Sequence, residues 1–291
     1  MLKKENKLFL LYRIFIFLLF MDSMYPWYMW NNNVTRITIA ITSILSVYLF
    51  LSYRGYFTFD RKRVSLILFF TIALVYYFFI HPNITYFFIY PIWILLLALK
   101  NEHQRNVLYF ITKWFAIILS ISFLFYILFL FGISVSPSYL NYNKGQYEIL
   151  NYYTFTIPFL RLGEYIRFKS IFMEPGHLTM GLVSLIFANG MNLKNRYVQI
   201  LCIIELFTFS LAGYITLFIG FLLLNFTVKR LRILLSVVLL LIIVVSVLEK
   251  AGYSDMLDQF LWNRLEYDDG DIAGNNRVTR EFEYVYNSQP C

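Results

Sequence analysis

The stretch 64–80 reads VSLILFFTIALVYYFFI and contains no charged residue. A helix of such residues has no polar face to turn toward water. About 20 of them in a row are what a helix needs to cross ~30 Å of hydrocarbon. Runs of this kind recur along the whole chain, at 8–21, 34–53, 84–99, 107–131, 175–191 and 231–248. The run 197–227 is too long for one untilted span and holds TFSLAGY in its middle, so it reads as two helices, 197–209 and 212–227, with a tight turn near Ser210. Composition agrees, with 59% hydrophobic and 14% charged residues, too little charge to cover a soluble domain. The expected fold is therefore all-α: a multi-pass integral membrane helix bundle of about nine spans, forming a single membrane domain over 1–291.

The net charge of +8 does not point to nucleic acid, because the cations lie in the loops rather than along a basic stripe. Lys and Arg concentrate on the cytoplasmic side of membrane proteins. Lys3, Lys4 and Lys7 thus set the N-terminus in the cytoplasm. Arg54, Arg61, Lys62 and Arg63 mark the next inner loop, Lys100 and Arg105 the one after, and Lys194 and Arg196 a third. Splitting 197–227 into two spans keeps Lys229, Arg230 and Arg232 inside as well, whereas a single span would put them outside. The first outer loop, DSMYPWYMWNNN, carries aromatics and no cation. The basic N-terminal run has no small-residue cleavage site and reads as a retained first helix. Cys202 and Cys291 form neither a disulfide framework nor a CxxC metal site.

Two long polar segments then fall on the outer side, a loop at 132–173 and a segment at 249–291. The first is rich in Tyr and Asn (SYLNYNKGQYEILNYY), which suits stacking on and hydrogen bonding to sugars, although interfacial Tyr is common for its own sake. At its end stands RFKSIFMEPGHLTM, residues 167–180. Pro175 fits the first turn of a helix, whose free backbone N–H groups attract anions. Glu174 and His177 are three apart and share a face, with Arg161, Arg167 and Lys169 approaching from the loop. Glu174 as a helix cap paired with Arg167, and His177 as an interfacial polar residue, would be the plainer account.

The second outer segment carries Arg264, Arg277 and Arg280 against the usual charge bias, which favours anion binding. Asp268, Asp269 and Asp271 lack the spacing of an EF-hand loop, so no metal is expected. Glu205 lies inside an expected span. It is either a hydrogen-bonded structural carboxyl or, in a transporter, part of a pathway. Arg13 and Lys113 sit near cytoplasmic ends, where their heads can reach water.

RFKSIFMEPGHLTMG opening a helix after a long outer loop, TFSLAGYI between two later helices, and the arginine-bearing NRLEYDDGDIAGNNRVTR together resemble the bacterial O-antigen and capsular polysaccharide polymerases, the Wzy-type members of the O-antigen polymerase/ligase group. The resemblance implies a glycosyltransferase of the bacterial cytoplasmic (inner) membrane. Its donor is a glycan on undecaprenyl pyrophosphate, it needs no cofactor, and a flippase and a chain-length regulator are its further partners. It implies Arg167 and Arg277 as the pyrophosphate clamp, with Arg161, Arg264 and Arg280 in support, because guanidinium donates a fork of bonds to phosphate. Glu174 or His177 would take the proton of the acceptor hydroxyl. A helix N-terminus and nearby guanidinium groups favour the charged carboxylate, so Glu174 could instead orient Arg167. Family members carry more helices after the second outer loop, and the chain stops at NSQPC within a polar segment, which reads as a truncated frame. An O-antigen ligase and a transporter or flippase of lipid-linked sugars are the alternative functions.

Overall fold

The computed structural model describes residues 7–24, 26, 32–80, 85–131, 142–144, 147–149, 168–172, 175–225, 246, 250, 267–268 and 271–272. The chain falls into two compact units, Met1–Gly220 and Phe221–Cys291. The described part of the first is mainly helical: α1 (Lys7–Asp22), α2 (Asn32–Ser52), α3 (Arg61–Ile80), α4 (Thr85–Ala98), α5 (Asn101–Leu130), α6 (Pro175–Ala188), α7 (Arg196–Phe207) and α8 (Leu211–Asn225), the last running across the unit boundary. Two small antiparallel hairpins complete the described elements, Tyr142–Lys144 with Tyr147–Ile149 and Tyr267–Asp268 with Asp271–Ile272. The expected helix 231–248 lies outside the described residues, apart from residue 246.

Among the described residues, three helices, over Asn33–Ser52, Arg61–Ile80 and Asn101–Leu128, are long and apolar enough to cross a membrane. The other described helices, α1, α4, α6, α7 and α8, have only 12 to 16 residues. At 1.5 Å per residue, the 12 residues of α7 give roughly 18 Å and the 14 of α6 roughly 21 Å, less than a ~30 Å hydrocarbon layer. The turn between α7 and α8 falls at Thr208–Ser210, where the sequence places it.

Helix faces follow from residue spacing. In α5, Val107, Ile111, Phe115, Leu119, Ser122 and Tyr126 recur every three or four residues and are buried. In α2 the buried face carries Thr38, Thr42 and Ser46, one turn apart. Each donates its hydroxyl to the carbonyl four residues back, at 2.9, 2.6 and 2.7 Å. Self-satisfied small residues let neighbouring helices approach closely where hydrocarbon offers no hydrophobic drive. By contrast, α3 exposes Leu66, Leu68, Phe69, Ile72, Tyr76 and Phe79 around its circumference.

Arg54, Arg63 and Lys100 gather at one end of the first unit. There the 3-10 turn Arg54–Tyr56 and the start of α5 meet, with Phe57 bridged to Leu99 and the Lys100 N–H bonded to the Tyr56 carbonyl at 2.8 Å. Tyr56 stacks on His103 at 4.0 Å, and Phe9 of α1 meets both rings edge-on. Gln104 Nε2 donates to the Leu96 and Leu97 carbonyls at the end of α4. α6 closes with a Schellman turn: Met191 N–H to Ile186 O and Gly190 N–H to Phe187 O, with Gly190 at φ 62°. Asn195 then caps α7 by accepting from the Tyr197 N–H at 3.0 Å.

Candidate functional site

The opposite end is where α6 begins and α7 gives way to α8. The chain enters it through residues 168–172. Phe168 is fully buried, edge-on to Phe123 at 5.4 Å and to Tyr126 at 5.2 Å. Phe207, the last residue of α7, joins the same group at 4.8 Å from Phe123, and its carbonyl accepts from the Phe168 N–H at 3.0 Å. These aromatic residues anchor the approach to α6. Lys169 and Ser170 are buried too, and Ser170 adopts the left-handed conformation at φ 56°. Such a φ is uncommon outside glycine and is held here by the packing on either side.

The first connection closes the same end. Pro26 pairs with Phe172 in an antiparallel bridge, and Phe172 packs against Phe115 of α5. Met24 lies against Gly181 of α6, one turn past His177. Asp22, at the end of α1, accepts from the Thr35 hydroxyl of α2 at 2.8 Å. Burial raises the Asp22 carboxyl above its ordinary range, and the Thr35 bond partly offsets that.

Beneath the start of α6 lies a polar knot. Glu205, in the last turn of α7, is fully buried. Its Oε1 accepts from the Thr179 hydroxyl of α6 at 3.1 Å. Thr179 Oγ1 also lies 3.3 Å from Thr208 Oγ1, but a hydroxyl has one proton, and the Glu205 carboxyl oxygen is the closer acceptor. The Thr208 hydroxyl donates to the Glu205 carbonyl at 2.8 Å. The Ser210 N–H donates to Thr208 Oγ1, and the Gly213 N–H to Ser210 Oγ, so the side chains of the turn cap both helix ends. α8 presses on this group closely: a Cβ on Gly213 would stand 1.8 Å from Glu205 Oε1 and 2.6 Å from Thr179 Cγ2. Phe209, inside the turn, is left-handed at φ 48°.

Among the described residues, Ser170 Oγ, His177 Nδ1 and Glu205 Oε2 are each buried without a hydrogen-bond partner. Orphaned polar atoms of this kind are rare and call for an explanation. All three belong to the segments that meet at this end.

Of the residues selected from sequence, His177 is described, in the first turn of α6 and half-buried. Glu174, Arg161, Arg167, Arg264, Arg277 and Arg280 lie outside the described residues. Among the described residues, no group of three or more His, Cys, Asp or Glu side chains is placed to hold a metal ion. Sequence reading noticed Glu205 but not its partners Thr179, Thr208 and Gly213. The available sign was Gly213, eight residues past Glu205 across the expected turn. No protein-family model, curated protein or solved structure matches the chain.

Proposed function

We propose that the chain is a bacterial inner-membrane glycosyltransferase that joins lipid-linked oligosaccharide units into O-antigen or capsular polysaccharide on the outer face, within a nine-span arrangement whose N-terminus is cytoplasmic. One observation carries the reading: His177 and the start of α6 stand at the end of the first unit away from the loops bearing Arg54, Arg61 and Lys100. Cations favour the cytoplasmic side, so this corner faces outward. Nucleotide sugars are confined to the cytoplasm, and an outer site needs a donor already carried across on lipid pyrophosphate.

The reaction has one displacement. The acceptor hydroxyl oxygen attacks the anomeric carbon of the donor glycan, the bond from that carbon to the pyrophosphate oxygen breaks, and pyrophosphate leaves with the electron pair. His177 or Glu174 takes the hydroxyl proton. Arg167 and Arg277 neutralise the charge growing on pyrophosphate, with Arg161, Arg264 and Arg280 extending the clamp. The Tyr- and Asn-rich segment 132–173 supplies surface for aligning two glycans.

The test uses the full chain in lipid nanodiscs with undecaprenyl-pyrophosphate-linked repeat units. A ladder of products is expected, lost in Arg167→Ala and in whichever of Glu174→Gln and His177→Ala removes the base. Transfer of a preformed glycan to a lipid A core without laddering would make it a ligase. Movement of the lipid-linked unit without any new glycosidic bond would make it a transporter.

A further inference from the structure

We infer that Glu205 is a positioning residue for glycan transfer: its bond to Thr179 sets the height and rotation of α6, and so the place of His177, against the α7–α8 turn. The inference rests on reading the start of α6 as the transfer site.

A carboxyl is an expensive way to join two helices in an apolar interior. Its burial costs free energy that a leucine of similar size would not. In some proteins a buried polar group is what fixes the register of packed helices. Register is at issue here, because α6 buries Leu178, Leu182, Leu185 and Ile186 and such apolar packing tolerates sliding and rotation. The Thr179–Glu205 bond does not: at 3.1 Å it fixes one point of α6 relative to the end of α7. Thr179 is two residues beyond His177, so the fixed point lies within one helical turn of the imidazole. Gly213 completes the device, since any side chain there would drive α8 into Glu205 Oε1 and Thr179 Cγ2. Glu205 itself is fully buried and is therefore placed to act through α6 rather than on substrate. A reacting group displaced by about 1 Å loses on the order of a hundredfold in rate, so loss of this one point has a large reach.

Conservative and isosteric variants separate this role from proton chemistry and from bulk stability. Glu205→Gln and Thr179→Ser keep an acceptor and a donor. Glu205→Leu and Thr179→Val keep the shape and lose the bond. With the full chain in nanodiscs and the lipid-linked units above, the first pair is expected to hold kcat within about threefold and leave its pH profile unmoved. The second pair is expected to lose roughly tenfold or more in kcat, with KM unchanged. Thr179→Val is the milder change and carries the test should Glu205→Leu fail to fold. A wild-type kcat in Thr179→Val would overturn the inference. So would an equal loss in Glu205→Gln and Glu205→Leu, which would assign Glu205 to proton transfer. Unfolding of Thr179→Val beside a folded Thr179→Ser would overturn it as well, by making the bond a requirement of the fold. Absence of transfer by the wild-type chain would instead remove the glycosyltransferase reading itself.

Discussion

The sulfur of Met24 occupies the space that any side chain at position 181 would need: a Cβ on Gly181 would stand 1.9 Å from Met24 Sδ. This contact joins the connection between α1 and α2 to α6. Gly181→Ala should therefore destabilise the protein by about 1–3 kcal/mol, the usual cost of forcing extra volume into a packed site. Met24→Ala in the same chain should relieve part of that loss. Thermal unfolding of both single variants and the double variant in detergent checks this, and additive losses would mean that the two residues do not touch.

Gly190 is needed for a different reason. It stands at φ 62°, and a Cβ added there would have no atom within 4 Å, so space is free and conformation is the constraint. Gly190→Ala should cost about 1 kcal/mol and Gly190→Asn less, because Asn tolerates the left-handed region. The same unfolding measurement decides it, and equal stability of all three would remove the Schellman turn as the stop of α6.

Asp22 gives a pH signature. Its raised carboxyl means that the folded chain holds this proton more tightly than the unfolded chain. The resulting stabilisation is complete below the ordinary carboxylate range and is lost as pH rises through the raised value. At neutral pH the half-buried charge is a cost. Asp22→Asn, which still accepts from Thr35, should flatten stability against pH across the acidic range and raise it at pH 7. Unfolding midpoints measured from pH 4 to 7 in both proteins test the sign.

Sidedness can be read by cysteine labelling after Cys202 and Cys291 are replaced. Single cysteines at Ser23 and Gly176, both exposed, should react with an impermeant maleimide on intact cells. Cysteines at Lys62, Lys100 and Lys194 should react only after permeabilisation. Labelling of Gly176→Cys together with Lys100→Cys would leave the proposed outer site on the wrong side.

The helices were legible because apolar runs separated by cations admit few other readings. Their limits were less so. α5 begins at Asn101 rather than near residue 107, since hydropathy registers only the part suited to lipid. The polar turn NEHQ is helical all the same, with Gln104 satisfying the free carbonyls at the end of α4. The break at Ser210 could be found because a run of thirty-one residues at ~1.5 Å each overshoots the bilayer. Thr179 could not be chosen in advance. A hydroxyl in an apolar helix commonly bonds its own backbone, as Thr42 and Thr112 do, and only the approach of α7 gives this one a carboxyl oxygen instead. Met24 and Gly181 were equally hidden, because nothing local in either stretch refers to the other.

The pairing of Pro26 with Phe172 bears on how the molecule is made. Chains are synthesised and fold from the N-terminus. Pro26 therefore leaves the ribosome long before its partner, and α2 through α5 are made in the interval. Until Phe172 arrives, the first hairpin has no cover for that edge. Final assembly of this face is thus a late event in synthesis, and a ribosome stalled before residue 172 would leave the α1–α2 connection without this pairing.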